Sequence, residues 1–196
     1  MKIYLMNGPP RSGKDTAGQL LARMLDNSTV LKFAEPLKMA THAAMAMLTG
    51  GPNLKFCEGY DDCKDIPSPD FMGLTPRAAY IAMSEQYIKP LLGKQFFGLH
   101  LAERIKKLQE QGTEHVIITD SGFYEELEPL INEFGADACI IVQLLRLDSH
   151  FEGDSRGWLE SEGVRTELIG NDDDIASLRV SVAELIGKLE KEVVQL

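Results

Sequence analysis

Gly8, four intervening residues, Gly13 and Lys14 directly follow Ile3–Met6, an apolar run short enough for a buried strand. Beyond them Ala17, Leu20, Leu21, Met24 and Leu25 recur at three- and four-residue spacing, which predicts a helix with one apolar face. A glycine-rich turn between a strand and a helix is the setting of a phosphate-binding loop. The two glycines let the backbone curl until its N–H groups converge on phosphate oxygens, and the helix start adds its positive dipole end. Lys14 supplies a mobile cation for the β- and γ-phosphates. The expected cradle is therefore Gly8, Pro9, Pro10, Arg11, Ser12, Gly13, Lys14, Asp15 and Thr16. One position departs from the usual pattern. Asp15 stands where a serine or threonine hydroxyl would touch Mg²⁺, so either Asp15 or Thr16 is expected to hold the metal. A plain Gly/Pro turn is the bland alternative; spacing, flanks and lysine together speak against it.

Further chemistry-bearing residues lie at the ends of predicted strands. His115–Thr119 reads as a buried strand that ends in Asp120, the place where a phosphate-loop protein keeps the carboxylate that holds Mg²⁺ through water. The polar, glycine-containing stretch R-L-D-S-H-F-E-G-D-S-R-G-W, residues 146–158, is bracketed by Arg146 and Arg156. A short lid with two arginines would neutralise a phosphoryl group in flight and exclude water, which makes both arginines catalytic candidates beside Lys14 and Asp15. Glu35 and Lys38 sit just past a strand at 29–33, where an open α/β sheet places its ligand crevice. Arg77, Lys89 and Lys94 are candidate anion contacts, weighed against a role as solvated surface cations.

The elements that must position these groups alternate between strand and helix. Helices are predicted from Pro36 to Leu48, from Thr75 to a break at Pro90 and Gly93, around Leu101–Leu108, over 124–134 and over 175–193. The near-continuous apolar run 138–145 suits a central parallel strand, and 165–169 an edge strand. Residues 50–73 carry no period. This is an α/β pattern, read as a single domain over 1–196 with a lid at about 146–158 and an acceptor-binding insertion at about 36–98.

Composition is ordinary for a globular protein, at 44% hydrophobic and 26% charged residues. No apolar run approaches the roughly 20 residues that span a bilayer, and no signal peptide is evident, so the chain reads as cytosolic with no membrane partner. Cys57, Cys63 and Cys139 form no CxxC pair, and the four histidines show no ligand spacing. The net charge of −10 opposes tight binding of nucleic acid by the surface as a whole.

Together, the phosphate loop, the strand ending in F-A-E-P-L-K, the strand ending in Asp120, the arginine lid and the terminal N-D-D-D-I-A-S-L turn resemble the P-loop nucleoside monophosphate kinases. The G-K-D-T variant is most similar to the phage deoxynucleoside monophosphate kinases. The resemblance implies a central parallel sheet with helices on both faces, and ATP with Mg²⁺ as donor. It also implies that Glu35, Lys38 and Arg77 face the acceptor and that Asn171 lies near the adenine; Lys89, a candidate anion contact, is added to the substrate-binding candidates. The acceptor implied is a small deoxynucleotide, in the cytoplasm of the host cell if the chain is phage-encoded, with a homodimer left open.

Two departures suggest a second acceptor. The chain reads D-S-G-F-Y-E-E where the kinases carry an arginine soon after the aspartate. S-E-Q-Y-I-K-P-L-L-G-K-Q-F-F-G and F-E-G-D-S-R are similar to phage kinases that phosphorylate 5-hydroxymethyluracil in DNA. That acceptor is nucleic acid. It would need a base such as Asp15, Glu35 or Asp120, and aromatic stacking from residues such as Tyr87, Phe96, Phe97, Phe123 or Tyr124. A third reading is a non-catalytic nucleotide-binding module, which the retained lysine and arginines oppose.

Overall fold

The computed structural model describes residues 1–50 and 59–193, so Cys57 lies outside the described residues. The chain divides into two compact units: Met1–Lys32 with Gly98–Leu196, and Phe33–Phe97.

The first unit is built on a parallel sheet. Its strands are β1 (Lys2–Asn7), β2 (Ser28–Leu31), β3 (His115–Ser121), β4 (Cys139–Leu145) and β5 (Arg165–Gly170), in the order β2-β3-β1-β4-β5. Every pairing is parallel. β1 holds the middle, and β4 beside it is buried except at its last residue, as its apolar run requires. Residues 165–170 form the expected edge strand.

Two helices cover one face: α1 (Lys14–Met24) and α8 (Ile175–Val193). Ala17 and Leu21 from α1, and Leu178, Val182 and Leu185 from α8, join Tyr4, Met6, Ile117, Ile140, Val142 and Leu144 in one buried cluster. Each such leucine contributes about 2 kcal/mol through the water it sheds. Gly18 marks the closest approach, because a Cβ there would lie 2.5 Å from Thr119 Cγ2. The alternate strand residues Ile3, Leu5, Val116, Ile118 and Ile141 are equally buried on the other face. There α7 (Tyr124–Phe134) packs on β4. The helix α6 (Phe96–Glu110) comes so near to α7 that a Cβ on Gly98 would meet the carbonyl of Glu126.

Adjacent parallel strands usually need a helix between them. β4 and β5 do without one: residues 146–164 form neither helix nor strand. Two polar side chains at strand ends hold this segment. Asn7 Nδ2 donates to the carbonyls of Ser121 (3.1 Å) and Gly157 (3.0 Å), and Asn7 Oδ1 accepts from the N–H of Leu159 (3.0 Å). Gln143 Nε2 donates to the carbonyl of Leu159 at 3.0 Å. Leu159, thus gripped at both backbone atoms, is 3% exposed.

The second unit is helical: α2 (Glu35–Thr49), α3 (Gly59–Asp62), α4 (Pro76–Ala82) and α5 (Lys89–Leu92), with a 3₁₀ turn at Pro69–Phe71. Its centre is aromatic. His42, Tyr60, Phe71 and Tyr80 pack edge-to-face or stacked, and His42 Nε2 lies 2.7 Å from the Tyr80 hydroxyl. The expected break at Pro90 does not occur. Helical structure runs from α4 through a π-helical turn, Met83–Ile88, into α5 and stops at Gly93 (φ 90°). In an α register the Pro90 ring would collide with the carbonyl four residues back. The wider turn before it, with Lys89 N–H bonded to Ser84 O five residues back, opens that space.

Candidate active site

The loop between β1 and α1 is shaped by close contacts. Gly13 has φ 96°, and a Cβ there would fall 2.3 Å from Asn171 Nδ2. Glycine is thus required both for the backbone and for the approach. Asn171 is buried just after β5. Its backbone N–H reaches Leu145 O (2.8 Å) and its side-chain amide donates to Ser12 O (2.8 Å). That amide clamps the glycine loop through the Ser12 carbonyl. Ser12 is fully buried, and its Oγ has no hydrogen-bond partner.

Lys14 is 8% exposed and folds back over its own loop, donating to the carbonyls of Gly8 and Pro9 at 2.7 Å each. Burial, helped by the nearby Arg156 guanidinium, brings its pKa down to about 8, against the opposing pull of Asp15, Asp154 and Asp120. Asp120 ends β3 within electrostatic reach of both Lys14 and Arg156.

Asp15 opens α1 with two partners on one oxygen. Thr119 Oγ1 donates to its Oδ1 at 2.8 Å, and Lys32 Nζ lies 2.8 Å from the same atom. Burial alone would raise the carboxyl; the Lys32 and Thr119 bonds outweigh it and hold the group below the usual aspartate range. Thr16 is exposed in the first turn of α1.

The two arginines of the 146–158 stretch stand differently toward this loop: Arg146 touches it, and Arg156 lies within electrostatic reach of Lys14. Arg146 is exposed, and its Nη1 donates to Arg11 O at 3.4 Å. Arg156 is fixed by Asp154, to which Nε and Nη2 donate at 2.9 and 2.7 Å, a fork-on-carboxylate geometry. Those bonds raise its pKa further. Its aliphatic stem lies on Gly122, where a Cβ would meet three stem carbons at 2.7 Å. Phe151 and Trp158 of the same stretch meet edge-to-face at 5.2 Å, with Trp158 44% exposed.

The remaining sequence-predicted residues belong to the second unit, each in its own surroundings there. Glu35 begins α2, and Lys38 Nζ stands 5.8 Å over the Tyr80 ring. Arg77 makes a two-bond pair with Asp65 (2.5 and 3.2 Å), and Lys89 pairs with Glu85 one helical turn away at 2.6 Å. Sequence reasoning passed over Lys32, Thr119, Asn7, Gln143 and Asp154. Asn7 and Gln143 left a readable signal, because a polar side chain inside a buried strand must find hydrogen-bond partners.

The residues fit a magnesium nucleotide. Ser12 Oγ is a buried polar atom that a phosphate oxygen inside the loop would satisfy, and Lys14 reaches only carbonyls that a phosphate would outcompete for its charge. Asp15, Thr16 and Asp120 offer only oxygen donors, the kind a hard cation takes.

No protein-family model and no curated protein sequence matches the chain. Solved structures do. A sugar kinase from Janibacter sp. aligns over 97% of this chain and 95% of its own, at TM-score 0.53 and 13% identity. Thymidylate kinase from Ehrlichia chaffeensis aligns over 94% of this chain and 98% of its own, at TM-score 0.50 and 15% identity. The five-stranded parallel sheet with helices on both its faces is thus the α/β fold that these two kinases share.

Proposed function

We propose that the chain is an ATP- and Mg²⁺-dependent phosphotransferase whose acceptor is a deoxynucleotide. The observation that carries this reading is the meeting of Lys14 and Arg156 beside the glycine loop. Burial first, and then the Arg156 guanidinium within electrostatic reach, depress the lysine pKa, and Arg156 is itself locked on Asp154. Asp15, Asp154 and Asp120 offset that positive charge only in part, and a phosphoryl group in transfer would complete the balance. The likeness to a thymidylate kinase supports a nucleotide acceptor.

In this reading ATP with Mg²⁺ supplies the phosphoryl group and neutralises its oxygens. Lys14 leaves the Gly8 and Pro9 carbonyls to follow the β- and γ-phosphates. Arg156 holds the moving group from the side of β3, and Arg146 reaches it from the end of β4. Asp15, Thr16 and Asp120 form the metal side of the site. Asn171 and Asn7 keep the loop and the 146–164 segment in place. Glu35, Lys38, Arg77 and Lys89 are the acceptor-side candidates.

A hydroxyl acceptor on DNA would require a base. Asp15 is poorly suited, because Lys32 and Thr119 stabilise its ionised form. A monophosphate acceptor needs no proton removed. The test is ADP release with ATP·Mg²⁺, comparing deoxynucleoside monophosphates, simple sugars and DNA containing 5-hydroxymethyluracil. Turnover on a deoxynucleoside monophosphate is expected; turnover confined to the DNA or to a sugar would replace this reading. Lys14→Ala is expected to lose on the order of 10³-fold in kcat. An active Lys14→Ala protein would move the site elsewhere.

A further inference from the structure

We propose that Lys32 is a built-in counter-ion that competes with the divalent cation for Asp15, so that the metal enters together with the nucleotide and not ahead of it. This rests on the reading of the loop as the nucleotide site. Asp15 replaces a neutral hydroxyl with a carboxylate, and a carboxylate attracts a bare divalent cation far more strongly. Left alone, such a loop would collect metal without nucleotide. Lys32 Nζ already lies on Asp15 Oδ1 at 2.8 Å, with Thr119 Oγ1 on the same oxygen at 2.8 Å. Lys32 and Thr119 already fill both lone-pair directions of that oxygen, and the ammonium charge opposes a cation on the other one.

The contact is a product of the sheet, which distinguishes it from a chance surface pair. Lys32 directly follows β2, β2 pairs with β3 in register from Ser28–His115 to Leu31–Ile118, and Thr119 is the next β3 residue. Thr119 Cγ2 in turn meets the α1 backbone at Gly18, one turn from Asp15. The ends of β2, β3 and α1 thus bring the ammonium, hydroxyl and carboxylate together. When a polyphosphate arrives, its negative charge draws both the metal and the lysine, and the competition for Asp15 is relieved at that moment. Lys32 is a positioning residue here, setting the order and strength of metal entry.

The experiment measures Mn²⁺ binding by electron paramagnetic resonance on the full chain without nucleotide. Lys32→Met is expected to bind Mn²⁺ about fivefold more tightly than wild type. Lys32→Arg is expected to match wild type. On an Asp15→Asn background, Lys32→Met is expected to change nothing, which separates the specific competition from a general loss of positive charge. Equal Mn²⁺ affinity in wild type and Lys32→Met overturns the proposal, as does an equal gain on the Asp15→Asn background. Should Lys32→Met fail to fold by thermal melting, Lys32→Gln takes its place in the same comparison. Binding of ATP·Mg²⁺ to wild type is measured separately by calorimetry. Its absence overturns the nucleotide reading, while the Mn²⁺ comparison still decides the role of Lys32.

Discussion

Lys14 shows how burial tunes a single charge. Its pKa of about 8 means that the ammonium is lost near the upper end of the physiological range. ATP affinity is therefore expected to fall as pH rises through about 8, measured by calorimetric titration between pH 7 and pH 9. Lys14→Arg, which stays charged, is expected to flatten that profile. Stability runs the other way. Charge on a lysine whose folded pKa is depressed opposes folding, fully so below pH 8. This opposition fades between about 8 and the ordinary lysine value of 10.5. Arg156 makes a second case. Arg156→Ala would leave the Asp154 carboxylate, 9% exposed, without its two-bond partner. It is expected to lower stability by about 2 kcal/mol in urea unfolding, besides removing most of kcat. An Arg156→Ala protein of unchanged stability would mean that water replaces the guanidinium.

At the scale of elements, the irregular crossover from β4 to β5 depends on Asn7. Asn7→Ala would orphan two carbonyls and one N–H, with an expected loss of about 3 kcal/mol. Amide exchange in residues 146–164 is expected to speed up more than in the sheet, a pattern that uniform destabilisation would not give. Gly18→Ala tests the α1–β3 contact. In an open helix the change would stabilise by up to about 1 kcal/mol. Here the new Cβ meets Thr119 Cγ2, and a loss of about 1–3 kcal/mol is expected in the same unfolding assay. The strands and long helices were legible because burial imposes a period on the sequence. Ile3–Met6 and 138–145 announce buried strands, and the apolar spacing of 175–193 announces α8. Pro90 misled the reading, since it signals a break while the π-helical turn accommodates the ring. Contacts such as Lys32 with Asp15 leave no local trace, because 17 positions separate residues that only strand pairing brings together.

The molecule as a whole carries ten more negative than positive charges, 30 acidic against 20 basic residues. Unmodified duplex DNA is therefore expected to bind no tighter than about 10⁻⁴ M at physiological salt, measured by fluorescence anisotropy. Tight binding with a steep salt dependence would shift the balance toward a DNA acceptor. Among the described residues no helix is long and apolar enough to cross a membrane. The glycine loop proposed to hold the donor lies in the first unit, and its motif was plain in the sequence because phosphate binding prescribes residue types at fixed spacing. Acceptor recognition has no such prescription. Arg77 and Lys89, chosen for their charge, prove to pair with Asp65 and Glu85 within the second unit.

Trp158 is the one tryptophan of the sequence, and it stands two residues from Arg156 on the helix-free crossover. Its indole is half in solvent and half against Phe151, so its emission colour depends on which of the two it faces. The protein thus carries a native optical probe on the segment that bears both arginines, and a change in its emission on adding ATP·Mg²⁺ is expected, to be followed by stopped flow without any attached dye.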